Sequence, residues 1–408
     1  MKSKLLLVMF TLMTCLLAQR SDAQTRYADS VFASYTVDSV TYSTPYNLKM
    51  NIYQPVGDAQ AKRPLVILAH GGSFVAGDRY SDVAVTHLCE DLAHKGYVTV
   101  SIDYRLTGNP GNLLNADSAV TEVFEAVGDG KAAVRYFYKD AWTTNTYKVD
   151  TDNIYIGGNS AGAVLFMHYA YLDDTLKFNP ATNFNSIAHN VGGLDGLSGN
   201  PGYSTKIKGV INLAGGLNDP TWLSYCGKPV VSAQGDSDMV VPYTCNQPFV
   251  YGFHVPLTLC GLGSLQAAIT RNTPYSESMV FPGDGHVPWE SDAAKMYRVD
   301  TMVTTFLFKE VTGTAPTACR SVAGINDAAA SDFVLYPNPA TSVLNIHSSA
   351  FISDITVMDQ TGRTVAQASN LNTLSYQMNT SNLSAGVYFV RVSNAQDLTS
   401  SVKKIVIE

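Results

Sequence analysis

Long apolar runs alternate with amphipathic segments over the first three quarters of the chain. Residues 64–70 and 97–105 are continuous apolar runs, which is typical of strands buried on both faces. Residues 81–96, between these runs, have apolar side chains at helical spacing. This alternation predicts an α/β fold with a mainly parallel sheet and helices on both faces. The same pattern predicts further strands at 153–158, 207–215 and 228–235, and a closing helix at 291–311.

Two features interrupt this regular alternation. A second amphipathic stretch at 117–140 contains Gly128 and Gly130, and we expect its helix to be interrupted there. Residues 173–205 and 242–272 are irregular and follow segments that carry candidate site residues. Long irregular segments in compact domains are often binding loops, although plain surface insertions fit the pattern as well.

The composition changes after Thr312. Residues 313–332 are small and polar and are predicted to be a linker, whereas short strand-like segments separated by turns follow from Phe333 to Glu408. These segments predict a small all-β sandwich. The first 312 residues therefore contain the α/β domain, and the two domains agree with a length of 408 residues.

The C-terminal segments resemble the type A sorting domain of the type IX secretion system. The resemblance rests on Tyr336-Pro337-Asn338-Pro339, on the DQTGR and LSAGVY segments, and on the terminal KKIVIE. It implies contact with that secretion machinery, export to the cell surface or the medium, and frequent removal of this domain afterwards.

The N-terminus has the pattern of a secretory signal peptide. Basic residues precede an apolar stretch at 5–18 that is too short to cross a bilayer, and Ala23 is a suitable residue for cleavage. We therefore assign residues 1–23 to the signal peptide and 24–312 to the α/β domain. No later segment resembles a membrane span. A net charge of −7 without any basic cluster argues against a nucleic-acid partner.

One serine lies between two glycines where a strand runs into a helix. Gly158-Asn159-Ser160-Ala161-Gly162 follows a predicted strand and precedes a helical pattern, so Ser160 is predicted to occupy a sharp turn. A helix N-terminus there directs N–H groups at a nearby anion. Ser160 is thus a candidate nucleophile, and the alternative is an idle serine in a glycine turn.

A nucleophilic serine needs a base and an acid, which follow it in this fold in the order acid, then histidine. Of the eight histidines, His286 follows the last predicted strand and precedes the closing helix. Its alternative role is that of a capping or surface residue. The strand at 228–235 leads to Asp236 and Asp238. We favour Asp238 as the acid because Asp236 lies at the turn itself and is suited to forming it.

A second glycine-rich segment follows the strand at 64–69. The sequence His70-Gly71-Gly72-Ser73-Phe74 allows backbone N–H groups to turn towards a developing oxyanion. Gly72 and Ser73 are the expected donors, together with Ala161 after the nucleophile. His70 is expected to hold this loop.

Together these motifs resemble the carboxylesterase and lipase branch of the α/β-hydrolase superfamily. The resemblance implies Ser160 as nucleophile, His286 as base and Asp238 as acid, with Gly72, Ser73 and Ala161 as oxyanion donors. It further implies two-step hydrolysis of an ester substrate through an acyl-enzyme, with no metal or organic cofactor. The family's fourth motif glycine is Ser73 here, and a histidine that is common before the acid loop is Gln234.

Two aromatic residues flank the oxyanion and base motifs. Phe74 and Trp289 are candidate substrate-binding residues, although such residues are more often part of the core. Export favours an external ester such as an acylated or feruloylated polysaccharide, a lipid or a polyester. A serine exopeptidase on the same fold and a catalytically inactive binding protein are the alternative functions.

Removal of the signal peptide leaves five cysteines. The closing helix is expected to end near the start of the strand at 228–235, so Cys319 and Cys226 are predicted to pair. Cys245 and Cys260 bracket one irregular segment and are predicted to form a second disulfide, which leaves Cys89 as a buried free thiol.

Overall fold

The computed structural model of the protein describes residues 26–173, 183–223, 226–317, 333–394 and 400–408. Two compact units divide the chain, Met1–Arg320 and Ser321–Glu408. The predicted signal peptide, residues 1–23, lies outside the described residues, as does most of the predicted linker.

Eight strands form one twisted sheet in the described part of the first unit. The order is β1-β2-β4-β3-β5-β6-β7-β10, in which β2 is antiparallel to β1 and β4 and every other neighbouring pair is parallel. The predicted mainly parallel sheet is confirmed. The strands are β1 Tyr35–Ser43, β2 Leu48–Pro55, β3 Arg63–Ala69, β4 Val98–Ile102, β5 Val149–Asn159, β6 Gly209–Leu213, β7 Val230–Gly235 and β10 Ser276–Phe281, and the short strands β8 Phe249–Val250 and β9 Phe253–His254 form a separate hairpin.

Helices cover both faces of this sheet because its central strands are apolar on both sides. In β3, Leu65 and Ile67 pack into one core together with the second and third helices, whereas Val66 and Leu68 pack into another together with the first and last helices. The helices are α1 Val83–His94, α2 Ala116–Trp142, α3 Ala161–Tyr171, α4 Phe184–Asn190, α5 Leu262–Asn272 and α6 Ala293–Val311.

The expected break in the second helix is wrong. Helix α2 runs without interruption through Gly128 and Gly130. A Cβ atom at Gly128 would lie 3.0 Å from the Cα atom of Gly196, and one at Gly130 would lie 2.9 Å from the ring of Phe166. These glycines therefore allow close packing of the helix against its neighbours, and that gain outweighs their low helix propensity.

The second unit is antiparallel and all-β, as the C-terminal pattern predicts. The long strand β12 pairs with β11 and β14 along its first part and with β13 and β15 along its second part, and β16 pairs with β15. Apolar side chains from these strands, among them Phe333, Ile355 and Val390, form its own core. The strands are β11 Phe333–Tyr336, β12 Val343–Met358, β13 Thr364–Ala368, β14 Thr373–Asn379, β15 Gly386–Asn394 and β16 Ser400–Ile407.

The cysteines follow the predicted arrangement where they are described. Cys245 and Cys260 form a disulfide, and Cys89 is a buried free thiol. Cys226 is disulfide-bonded, and its predicted partner Cys319 lies outside the described residues. None of the described helices is both long and apolar enough to cross a membrane.

Candidate active site

Ser160 is the single residue between strand β5 and helix α3. Its φ of 53° and ψ of −119° lie in a region that L-residues rarely adopt, which is the strained turn that the sequence predicts. A Cβ atom at Gly158 would lie 2.4 Å from the carbonyl oxygen of Ala69, and one at Gly162 would lie 2.0 Å from it. The flanking glycines thus let the turn pack directly against the end of β3.

His286 lies in the loop between β10 and α6 and makes a hydrogen bond with each of its ring nitrogens. Its Nε2 atom is 2.7 Å from the Oγ atom of Ser160, and its Nδ1 atom is 2.8 Å from the Oδ2 atom of Asp238. The tautomer protonated on Nδ1 donates to Asp238 and leaves Nε2 to accept the serine proton. The structure therefore brings the three predicted residues into one hydrogen-bonded chain.

Asp238 and Asp236 have different partners. The Asp238 carboxylate is buried and accepts the N–H groups of Val240 and Val241 at 2.9 and 3.0 Å, in addition to bonding His286. Asp236 instead accepts the N–H group of Gly283 at 2.7 Å. Backbone donors fix the orientation of Asp238 towards the ring, whereas Asp236 links its own turn to the loop that carries the histidine.

Gln234 supports the Asp238 loop from the end of β7. Its Nε2 atom donates to the Val241 carbonyl at 2.7 Å and to the Asp238 carboxylate at 3.2 Å, while its Oε1 atom accepts the Leu262 N–H group at 2.7 Å. In the sequence, Gln234 is notable only because the family commonly has a histidine at this position. Its role becomes visible once α5 and the acid loop are placed side by side.

The loop after β3 presents free N–H groups next to Ser160. Three successive residues, Gly72, Ser73 and Phe74, have positive φ values of 111°, 57° and 62°. No hydrogen bond engages the N–H group of Gly72 or Ser73 among the described residues, and Ala161, as the first residue of α3, has no acceptor within its helix. These are the three predicted oxyanion donors.

The buried side chain of His70 stabilises this loop. Its ring stacks on Tyr104 with centroids 4.4 Å apart, and its Nδ1 atom lies 2.6 Å from the carbonyl oxygen of Gly71. Burial lowers the pKa of His70, which favours the neutral ring. The Gly71 N–H group is itself bound to Asp82 at 2.8 Å, so it is not available to a substrate.

A polar cluster lies beneath Ser160, and no local pattern in the sequence predicts it. The Nδ2 atom of Asn159 donates to Asp82 at 3.1 Å and to the Oε1 atom of Glu290 at 2.5 Å. Asp82 also caps helix α1 by accepting the Val85 N–H group at 3.0 Å. Desolvation raises the pKa of Glu290, and the nearby Asp82 charge raises it further. The cluster links the turn at Ser160 to the loop after β3 and to the loop that carries His286.

Trp289 belongs to this buried cluster. Its side chain is 1% exposed, packs beside Phe281 and donates from Nε1 to the Oδ1 atom of Asn159 at 3.2 Å. The side chain is thus almost fully enclosed, and substrate binding by Trp289 stays a prediction that these contacts do not support. The indole hydrogen bond to Asn159 explains its burial.

Two cavities meet at Ser160. A cavity of about 90 Å³ contacts Phe74, Ala161 and mainly apolar side chains, and a more open cleft of about 360 Å³ contains His286 and Glu290. Phe74 thus lines the smaller cavity, whereas Trp289 lines neither of these two.

Comparisons with known proteins give family matches for both units. Residues 50–250 match the model of the BD-FAE family, and residues 334–408 match the model described as the secretion system C-terminal sorting domain. The sorting domain indicates type IX secretion to the cell surface or the extracellular space.

Curated relatives include two Arabidopsis thaliana proteins, probable carboxylesterase 3 and probable carboxylesterase 13. They are 29% and 28% identical to this chain over 148 and 150 residues. Each alignment covers 35% of this chain and 43% of the relative, so the chain spans less than half the length of these relatives.

Similar solved structures include two of Thermogutta terrifontis esterase 2. The form phosphorylated by paraoxon is 18% identical with a TM-score of 0.49, covering 67% of this chain and 94% of that chain. The apo form is 18% identical with a TM-score of 0.49, covering 68% of this chain and 96% of that chain.

Proposed function

We propose that this chain, whose α/β unit carries a BD-FAE domain and whose C-terminal unit is a type IX sorting domain, is a secreted serine hydrolase of carboxylic esters. One observation carries the proposal, namely the hydrogen-bonded chain from Ser160 through His286 to Asp238. The relatives described as carboxylesterases support the same class of reaction.

The first step forms an acyl-enzyme. The Oγ atom of Ser160 attacks the ester carbonyl carbon while its proton passes to Nε2 of His286. Asp238 stabilises the imidazolium through its bond to Nδ1. The oxyanion accepts N–H groups from Gly72, Ser73 and Ala161, and each such donor contributes about 3 kcal/mol to lowering the barrier. The tetrahedral species then collapses, and the alcohol leaves with the proton from Nε2.

The second step releases the acid. Water attacks the acyl carbon while His286 takes its proton, and the same N–H groups hold the new oxyanion. Collapse breaks the bond to Ser160, whose Oγ atom recovers a proton from His286. The products are one carboxylic acid and one alcohol, and no other reactant is consumed. The substrate is an extracellular ester, with an acylated or feruloylated polysaccharide, a lipid and a polyester as the classes to test.

Hydrolysis of p-nitrophenyl acetate and butyrate by the purified protein tests this function. We expect turnover of both esters, and Ser160→Ala should reduce kcat by roughly 10⁴-fold or more because the nucleophile is lost. Ser198→Ala is a suitable control, since that buried serine bonds Asp129 rather than the site. Turnover that survives in Ser160→Ala, or an inactive and folded wild type, would contradict the proposal.

A further inference from the structure

The two cavities at Ser160 receive different halves of an ester. His286 protonates the leaving oxygen, so the alcohol must lie on the side of its Nε2 atom. The open cleft contains His286, whereas the smaller cavity contacts Ser160, Ser73 and Ala161 but not His286. Under the proposed reaction, the acyl chain would therefore point into the smaller cavity and the alcohol would project into the open cleft.

One wall of the smaller cavity is a loop closed by a disulfide. We call residues 245–260 the clamped loop, because Cys245 and Cys260 join its two ends. Its Val250, Val255 and Leu257 side chains line the cavity. Val255 also packs with Val75, Leu113 and Ala119 across the cavity, so the loop and the start of α2 share one apolar cluster.

In addition to the disulfide, backbone hydrogen bonds anchor both ends of the clamped loop. Asn246 and Leu259 exchange two backbone hydrogen bonds at 2.9 and 3.1 Å, and Cys260 and Leu217 exchange two more at 2.7 and 3.1 Å. Within the loop, the β8–β9 hairpin holds its two strands in register. A wall fixed in this way cannot retreat without breaking those bonds, so its side chains set the depth of the cavity.

The size of the cavity limits the acyl chain. A protein cavity of about 150 Å³ holds benzene, which corresponds to about 25 Å³ for each carbon. On that scale the volume of about 90 Å³ holds about three or four carbons beyond the carbonyl. Acetyl to butyryl groups fit within this volume, whereas an octanoyl chain or an aromatic acid with a linker would extend beyond it.

We infer that the clamped loop is the specificity element for the acyl group and restricts the enzyme to short aliphatic acyl esters. The inference rests on the proposed ester hydrolysis and adds to it the acyl class and the side chains that select it. Val250 and Val255 form the limiting wall, and the Cys245–Cys260 disulfide keeps that wall in place.

The test compares acyl lengths within each variant of the full chain. We measure kcat/KM for p-nitrophenyl acetate, butyrate and octanoate and for methyl ferulate. A ratio between two substrates does not depend on how much of a sample is folded. One methylene in an apolar pocket changes kcat/KM by about 10- to 200-fold, so the wild type should favour butyrate over octanoate by at least about tenfold.

Variants on opposite walls should shift the ratios in opposite directions. The double variant Val250→Ala/Val255→Ala deepens the cavity and should raise the octanoate-to-butyrate ratio about tenfold. Ala119→Leu narrows it from the helix side and should raise the acetate-to-butyrate ratio. Tyr251→Ala is the matched control, because Tyr251 lies on the same hairpin, is 55% exposed and does not line the cavity.

Removal of the Cys245–Cys260 disulfide tests the role of the loop independently. Cys245→Ala/Cys260→Ala should also raise the octanoate-to-butyrate ratio, but by less than Val250→Ala/Val255→Ala, because the backbone hydrogen bonds at both ends of the loop remain. A wild type that hydrolyses octanoate or ferulate as well as butyrate would overturn the inference and leave the proposed function standing. Unchanged ratios in the Val250→Ala/Val255→Ala variant would overturn it in the same way. A folded wild type that hydrolyses none of the four esters would overturn both.

Discussion

The Nδ1 atom of His286 lies 2.8 Å from the Oδ2 atom of Asp238, a residue 48 positions earlier in the chain. Asp236, two residues away, bonds the backbone of Gly283 instead. The two carboxylates are neighbours in sequence but differ in what they hold, since one orients the imidazole ring and the other orients the loop beneath it.

Asparagine substitutions should separate these two aspartates. Under the proposed roles, Asp238→Asn removes the charge that would stabilise the imidazolium and should reduce kcat by about 10³- to 10⁴-fold. Asp236→Asn keeps an acceptor for the Gly283 N–H group and should leave kcat within about threefold of the wild type. Steady-state kinetics on p-nitrophenyl butyrate measure both. Equal losses in the two variants would contradict the assignment of Asp238.

An alanine in the loop after β3 should reduce kcat strongly at position 72 but not at position 73. A Cβ atom at Gly72 would lie 1.9 Å from the Ala76 carbonyl oxygen, and the φ of 111° disfavours a side chain there. Gly72→Ala should therefore displace the donors and reduce kcat about 100-fold or more. Ser73→Ala retains its backbone N–H group and should change kcat by less than about threefold.

Circular dichroism before the kinetics shows whether the Gly72→Ala protein is folded. A loss of the same size in Ser73→Ala would mean that the hydroxyl group, rather than the backbone, contacts the substrate.

Two glutamates should alter stability in opposite directions as the pH changes. Desolvation and the Asp82 charge raise the pKa of Glu290. The folded state then holds this proton more tightly than the unfolded chain, so the stability that Glu290 contributes is complete at low pH and is lost as the pH rises through its folded pKa. Glutamine does not titrate. The Tm of Glu290→Gln minus that of the wild type should therefore increase as the pH rises from 4 to 8.

Glu277 provides the matched comparison. Burial raises its pKa, but hydrogen bonds from Tyr275 at 2.6 Å and Lys309 at 2.9 Å outweigh that effect and lower the pKa overall. Its contribution to stability is present at neutral pH and is lost as the pH falls. Glu277→Gln should therefore lower Tm near pH 7, with the difference shrinking towards pH 3. Differential scanning fluorimetry across this range measures both, and parallel curves for the two variants would contradict the reasoning.

The cysteines should differ in their reactivity. Cys89 is buried, and burial raises the pKa of its thiol well above the usual value, so little thiolate forms at pH 8. Iodoacetamide should label Cys89 only after denaturation, and Cys245 and Cys260 only after reduction. Peptide mass mapping distinguishes these cases. Rapid labelling of Cys89 in the native protein would show that α1 opens under native conditions.

The sheet and the positions of the main site residues could be predicted because their signals are local. Apolar runs such as those around Ile67 and Ile156 mark buried strands without reference to any partner. The carboxyl ends of parallel strands share one edge of a sheet, so residues that follow successive strands are brought together. Ser160, Asp238 and His286 each follow such a strand, and this is why their order along the chain was informative.

The remaining features depend on contacts that no local pattern contains. Asp82 and Glu290 lie 77 and 131 residues from Asn159, and nothing along the chain indicates that they share its amide group. An aromatic residue beside the base fits a binding role, and nothing along the chain indicates that the indole N–H group of Trp289 donates to Asn159. Helix propensity predicts a break at Gly130, whereas the absence of a side chain there allows the helix to pack against Phe166.

The position of His286 after the last strand of the sheet has a consequence during synthesis. A chain synthesised only through β7 contains Ser160 but lacks His286, so under the proposed roles no ester is cleaved until β10 and the loop that follows it are in place. Hydrolysis then reports completed folding rather than the mere presence of the nucleophile. Measuring activity separately in the cytoplasm, the periplasm and the medium would show in which compartment this unit reaches its final structure.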